Sequence, residues 1–219
     1  MKVNFLIVLF SLLTSLLFSQ EFKPYNIDDS IQVSLPADFK KVDTLGQTQI
    51  TARTSFGFIQ ISKQPDNNHS TPDIEKVKHL NRYYNDFIKR ISASSKQGTI
   101  SNKKDTLLGN LRVKDFTLAL DSGSGKQYRN FRILHENSAT YTFQYLFQDM
   151  HSQYAQPESE SFFKSIKLTK PATLTSQFTK EGNTTGKAPA SNTKLYIISA
   201  VVVVIILALI AFFKKRKRE

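Results

Sequence analysis

Histidine is the side chain best suited to move a proton or hold a transition metal near neutral pH, and this chain has four: His69, His79, His135 and His151. No two of them stand three or four residues apart, so none pair on one helical face in the spacing of zinc ligands. The 219 residues contain no cysteine, which excludes a thiol nucleophile, a cysteine-based metal site and a disulfide framework. Surface or hydrogen-bonded histidines, and no metal, are the expectation. The run Ser122-Gly123-Ser124-Gly125-Lys126 invites comparison with a phosphate-binding loop. It has Leu120 where the first glycine of that motif stands and Gln127 where a serine or threonine follows the lysine, and it joins two extended segments instead of opening a helix. A hairpin turn is the better reading. A Gly-x-Ser-x-Gly elbow is absent too, so a serine hydrolase of that class has no support. No catalytic residue and no cofactor are expected.

Recognition needs different residues from reaction. Aromatics crowd the last third of the chain as Tyr141, Phe143, Tyr145, Phe147, Tyr154, Phe162 and Phe163, and core packing accounts for most of them. Tyr128 and Tyr154 fall at the edges of predicted elements and are the candidate partner contacts, because tyrosine is enriched where proteins meet. The short motifs Asp43-Thr44-Leu45 and Asp105-Thr106-Leu107, and the sequons Asn68-His69-Ser70 and Asn183-Thr184-Thr185, are read as unmodified.

The elements that position these residues follow from hydrophobic period. Apolar and polar residues alternate over 31–36, ending at Pro36, and again over 49–53 and 58–63, with Ser55-Phe56-Gly57 as a tight connection. Ser70-Thr71-Pro72-Asp73 carries helix-start signals. Ile74, Val77, Leu80, Tyr84, Phe87, Ile88 and Ile91 then recur at helical spacing, which predicts a helix of about 20 residues. Period two returns over 98–106, 111–120, 127–135 and 139–148, the last read as a half-buried antiparallel strand. A short closing helix over 157–168 buries Phe162, Phe163 and Ile166. The fold class is therefore α+β: an antiparallel sheet of about six to seven strands packed by a long helix and a short C-terminal one.

The two ends of the chain read as topology signals. Residues 1–20, with Lys2 before an apolar run, match a secretory signal peptide. Residues 21–170 form the exported domain, and 171–194, rich in Thr, Ser, Gly and Pro, a flexible stalk. Residues 195–213 are apolar and uncharged and would span about 28 Å as a helix, enough for a bilayer core. Lys214, Lys215, Arg216, Lys217 and Arg218 in the tail 214–219 fix the C-terminus on the cytoplasmic side. The expected place is a bacterial inner membrane, single-pass, with the domain in the periplasm or outside. Of the formal +12, Lys2 carries one and the tail a net four, which leaves +7 on the exported part. Those cations stand singly or in pairs such as Lys40-Lys41 and Lys103-Lys104, without a basic stripe, so nucleic acid is not an expected partner.

The strand ending at Pro36, the hairpin, the long helix, four meandering strands and a closing Ser161-Phe162-Phe163-Lys164-Ser165-Ile166-Lys167-Leu168 segment together resemble the PsbP-like (Mog-type) α/β/α sandwich superfamily, which includes envelope proteins of the DcrB type. The resemblance covers about residues 27–168. It implies a binding or assembly module without catalysis, an accessory to an envelope complex with a protein partner there, and it transfers no site residue. The second expectation is a sensor domain taking a small molecule or lipid under Tyr84, Phe87 and Ile91. An uncharacterised hydrolase comes third.

Overall fold

The structure is a computed structural model that describes residues 21–67, 71–95, 98–121, 123 and 125–179. The readings for residues 1–20, for both sequons and for the apolar run and basic tail at 195–219 fall outside the described residues. No helix among the described residues is long and apolar enough to cross a membrane.

Ten strands and two helices of more than one turn are described: β1 (Phe22–Asn26), β2 (Ile31–Pro36), β3 (Lys40–Thr44), β4 (Gln47–Arg53), β5 (Phe58–Pro65), α1 (Val77–Ser94), β6 (Thr99–Leu108), β7 (Leu111–Asp121), β8 (Lys126–Glu136), β9 (Ala139–Gln148), α2 (Ser152–Ser165) and β10 (Lys167–Leu168). The main sheet has seven strands in the order β3-β4-β5-β9-β8-β7-β6, all antiparallel, and β1, β2 and β10 form a second sheet of three. Alternation places Ile59, Ile61, Tyr141, Phe143 and Tyr145 on one face of the main sheet, where they pack with Ile31, Val33 and Leu35 of β2 and with Phe162 of α2. The other face carries Phe116, Leu118, Phe131 and Ile133, covered by Leu80, Tyr84 and Ile88 of α1. Both faces are thus buried, as an α/β/α sandwich requires.

The registers sort the turns to two ends. One end, here the tail end, holds residues 27–30, 45–46, 109–110 and 137–138, and the segment 169–179 crosses it. The opposite, far end holds residues 54–57, the β7–β8 turn and residues 149–154. That β7–β8 turn, with Gly123 and Gly125 at positive φ and Gly123 N donating to Asp121 Oδ1 at 3.0 Å, is the hairpin expected from Ser122-Gly123-Ser124-Gly125-Lys126.

Several sequence expectations need correction. The long helix starts at Val77, because Ile74 is held outside it: its N–H donates to Thr179 Oγ1 at 2.9 Å, and its carbonyl accepts from Thr179 N at 2.9 Å. The closing helix starts at Ser152 with Pro157 inside it, and Lys167 and Leu168 leave it to pair with β2. Strands β1 and β3 lie at sheet edges, where exposure on both faces erases the period-two signal. Strand β9 is the middle of seven strands and is buried on both faces, Thr140, Thr142 and Gln144 included, so it is not half-buried. The packed chain also runs past residue 170: Leu174–Gln177 forms a 3-10 turn, and Gln177 is wholly buried.

Candidate functional site

Two surface features at the far end, on the face covered by α2, combine aromatic area with polar groups. The first is an open groove of about 760 Å³ between α2 and strands β6–β8. Alternation along β8 turns Tyr128, Asn130 and Arg132 toward α2, since their partners on β9 are Phe147, Tyr145 and Phe143. The Tyr128 ring lies 5.5 Å from that of Phe147, and Phe163 of α2 forms part of the opposite wall. The Arg132 guanidinium donates through Nε and Nη2 to both oxygens of Asp115, each at 2.8 Å, and through Nη1 to the Phe163 carbonyl at 3.1 Å. It also lies 5.5 Å from the Phe163 ring centre. Asn130 Nδ2 donates to Ser159 Oγ at 3.0 Å, and Asn130 Oδ1 accepts from Thr117 at 2.9 Å. These bonds tie β7, β8 and α2 into one rigid wall. The rim on β6 is bulged between Ser101 and Lys104, with Asn102 at φ 53°, a device that re-aims edge side chains.

The second feature is an exposed aromatic patch. Tyr154 is 58% exposed and stacks on Phe56, with ring centres 5.0 Å apart and planes at 23°. His151 lies 6.3 Å from Phe56, and Met150, 79% exposed, stands beside it in sequence. Glu158 of α2 positions Phe56. Its carboxylate accepts from Thr54 Oγ1 at 3.0 Å, from the backbone N–H of Ser55 and Phe56 at 3.2 Å each, and from the Tyr145 hydroxyl. Burial, and then the bond to Glu158, push the Tyr145 phenol far above its usual range, so it stays a donor. Gly57 is needed here because a Cβ would sit 2.6 Å from both the Leu146 carbonyl and the Tyr145 ring.

Both sequence-read contact residues therefore fall at the far end on the α2 face, Tyr128 half-buried in the groove wall and Tyr154 on the exposed patch. Phe56, Met150, Glu158, Asp115 and Arg132 were not anticipated. A signal for the last two was present: an acidic residue on one of two adjacent strands and a basic residue on the other, at positions that the hairpin register pairs. The expected small-molecule site beneath α1 is filled instead. Tyr84 is buried and hydrogen-bonded, and Phe116 stacks on Phe131 with ring centres 4.5 Å apart and planes at 5°.

A buried polar network at the tail end is built on His135 and Gln177. The His135 Nδ1 faces the Gln177 carbonyl at 2.8 Å, and its Nε2 faces the Asp66 carboxylate at 3.0 and 3.1 Å. Gln177 in turn binds Arg112 N through Oε1 at 2.8 Å, and donates through Nε2 to the carbonyls of Arg112 at 2.8 Å and His135 at 2.9 Å. With both ring nitrogens occupied, His135 has no nitrogen left for a substrate proton. The network is a fastening for the C-terminal segment. Among the described residues no group of three His, Asp or Glu side chains is gathered as for a metal ion.

No family model matches the chain, and no curated protein matches it. Solved structures do. The solution structure of cyanobacterial PsbP from Synechocystis superposes with a TM-score of 0.52 at 10% identity, covering 69% of this chain and 95% of its own. LpqN of Mycobacterium tuberculosis, described as involved in cell envelope biogenesis, gives 0.40 at 12% identity, over 68% of this chain and 91% of its own. The Ran-binding protein Mog1p of Saccharomyces cerevisiae gives 0.43 at 7% identity, over 74% of this chain and the whole of its own. At such identities the likeness is one of fold, and the described domain has the PsbP-like α/β/α sandwich fold.

Proposed function

We propose that the chain is a membrane-anchored, outward-facing binding module of a bacterial envelope, which presents the far end of its sandwich to a protein partner and serves as an accessory to that partner's complex. The observation that carries this reading is the far end itself, where a rigid groove with aromatic walls and an exposed Phe56–Tyr154 stack lie on the same face and end. Exposed aromatics beside a preformed concavity are the features of a recognition surface. The groove's strongest polar groups, Asp115, Arg132, Asn130 and Ser159, are spent on one another, an arrangement that holds shape and leaves no nucleophile paired to a base. The neighbouring fold supports an accessory role, since PsbP-like domains are mostly accessory proteins. The anchor and the side of the membrane rest on the apolar run 195–213 and on Lys214, Lys215, Arg216, Lys217 and Arg218.

Photocrosslinking tests it. Full-length protein carrying a benzophenone amino acid at position 128 or 154, expressed in its own membranes, should yield one discrete adduct on irradiation. The same probe at the exposed Lys89 of α1, on the other face, should yield none. Absence of an adduct from both 128 and 154, or equal adducts from all three positions, would overturn the reading.

A further inference from the structure

We infer that the tail end of the domain is a second interaction surface, one that lies against an anionic phospholipid bilayer and inserts Leu45 and Leu107 into its interface. The inference rests on the anchoring proposed above. The exposed large hydrophobic side chains among the described residues divide between the two ends: Phe56, Met150 and Tyr154 at the far end, Leu45 and Leu107 at the tail end, and Val42 on β3 just behind Leu45. Leu45 is 97% exposed at the tip of the β3–β4 turn, and Leu107 is 67% exposed at the end of β6.

Leu45 also has a positive φ of 50°, followed by Gly46 at 77°. That conformation suits Asn, Asp or Gly, and a bulky apolar residue there is unfavourable. A leucine that is both strained and almost fully solvated gains nothing inside its own domain, and it gains if the tip enters an apolar phase. Strands β3 and β6 are the two edges of a seven-stranded sheet, so the two leucines stand roughly 29 Å apart across the same end. Arg112, the register partner of Leu107, is exposed, and so are Lys167 of β10 and Lys170 on the segment that crosses this end. Cations beside a protruding leucine match an anionic headgroup layer.

The chain itself says which surface this end meets. Thr179 is fixed at the tail end by Ile74, and 15 residues separate it from the apolar run that begins at Leu195. A coil of that length has an end-to-end distance of roughly 20 Å. The bilayer is thus held near Leu45 and Leu107 at high effective concentration, and two weak insertions suffice to set the domain's orientation.

Because the chain has no native cysteine, single probes can be placed cleanly. Full-length Leu45→Cys, Leu107→Cys and Met150→Cys proteins, each carrying an environment-sensitive fluorophore, would be reconstituted into vesicles of phosphatidylethanolamine and phosphatidylglycerol. The inference expects blue-shifted emission at 45 and 107, with quenching by brominated lipid several-fold greater than at 150, and a weaker effect in pure phosphatidylcholine. Water-like emission at 45 and 107 in protein that floats with the vesicles would overturn the orientation and leave the anchor standing. Protein that fails to float would overturn both. Quenching at 150 instead would place the far end on the membrane and sink the inference together with the partner-facing role of that end.

Discussion

Two carboxyl groups near the tail end show how one local environment can push similar side chains in opposite directions. Glu136 is buried, and its Oε2 has no hydrogen-bond partner. Burial, and then the nearby charge of Asp28, raise its pKa above the ordinary 4.5. Burial opposes ionisation of Asp28 as well. There, however, hydrogen bonds from Lys63 at 2.6 Å, from the Tyr141 hydroxyl and from the Ser30 backbone at 2.8 Å outweigh it, and the pKa falls below 3.8. The consequences for stability have opposite signs. Asp28 contributes stability that is present above its unfolded value and lost as pH falls through its folded one. Glu136 contributes stability that is full below pH 4.5 and lost as pH rises through its raised folded value. Glu136→Gln keeps the shape and removes the ionisation. Urea denaturation across pH should therefore show the variant gaining on the parent as pH climbs from 4 toward neutrality, with the two alike in acid. Parallel profiles would mean that Glu136 carries its charge in the folded state and that the sign assigned to it is wrong.

Helix α2 acts as a clamp at the level of elements. Its Glu158 fastens the β4–β5 turn, its Ser159 and the Phe163 carbonyl fasten β8, and its end hands the chain to β10. Glu158→Ala should lower stability by about 1–3 kcal/mol, the usual range for removing a charged acceptor of several hydrogen bonds. It should also release Phe56 from Tyr154, so that the crosslinking yield at 154 falls while that at 128 holds. An unchanged yield at 154 would show that the patch does not depend on the turn. Much of this architecture was legible in the chain. The stripe from Val77 to Ile91 and the alternation of Ala139 to Gln148 gave element type and order, because helix and strand periods differ and both elements bury apolar side chains. What escaped was set by contacts distant in sequence. Ile74 leaves the helix for Thr179, Lys167 and Leu168 leave α2 for β2, and Lys40–Thr44 is a strand only because β4 pairs with it. The groove escaped for the same reason: β7, β8 and α2 build it together, and none of them marks it alone.

For the molecule as a whole, the segment after β10 decides where the domain stops. Its composition reads as a stalk from residue 171, yet Gln177 bridges Arg112 of β7, His135 of β8 and Tyr84 of α1. Asn137 N donates to the Ser176 carbonyl at 2.8 Å, Thr179 pairs with Ile74, and Phe178 packs on the core under α1. Without this segment the strand ends of β7 and β8 lose their covering residue, and His135 loses the carbonyl at its Nδ1. Each buried bond left open costs about 1–3 kcal/mol, so loss of the segment removes several kcal/mol from the 5–15 usual for a domain. Two truncations separate a stalk from a fastening. A chain ending after Thr179 should unfold in one transition at the temperature of the full-length domain. One ending after Lys170 should unfold at least ten degrees or so lower, on the scale of roughly 2–8 °C per kcal/mol, and its amides near His135 should exchange fastest. Full-length Gln177→Ala should fall between the two, since it removes the bridge and keeps the Thr179–Ile74 pair. If the two truncations melt together, the segment is stalk in energy as well as in composition. In that case pull along the chain would reach the domain at β10, where only two residues pair with β2, and not at the centre of its end.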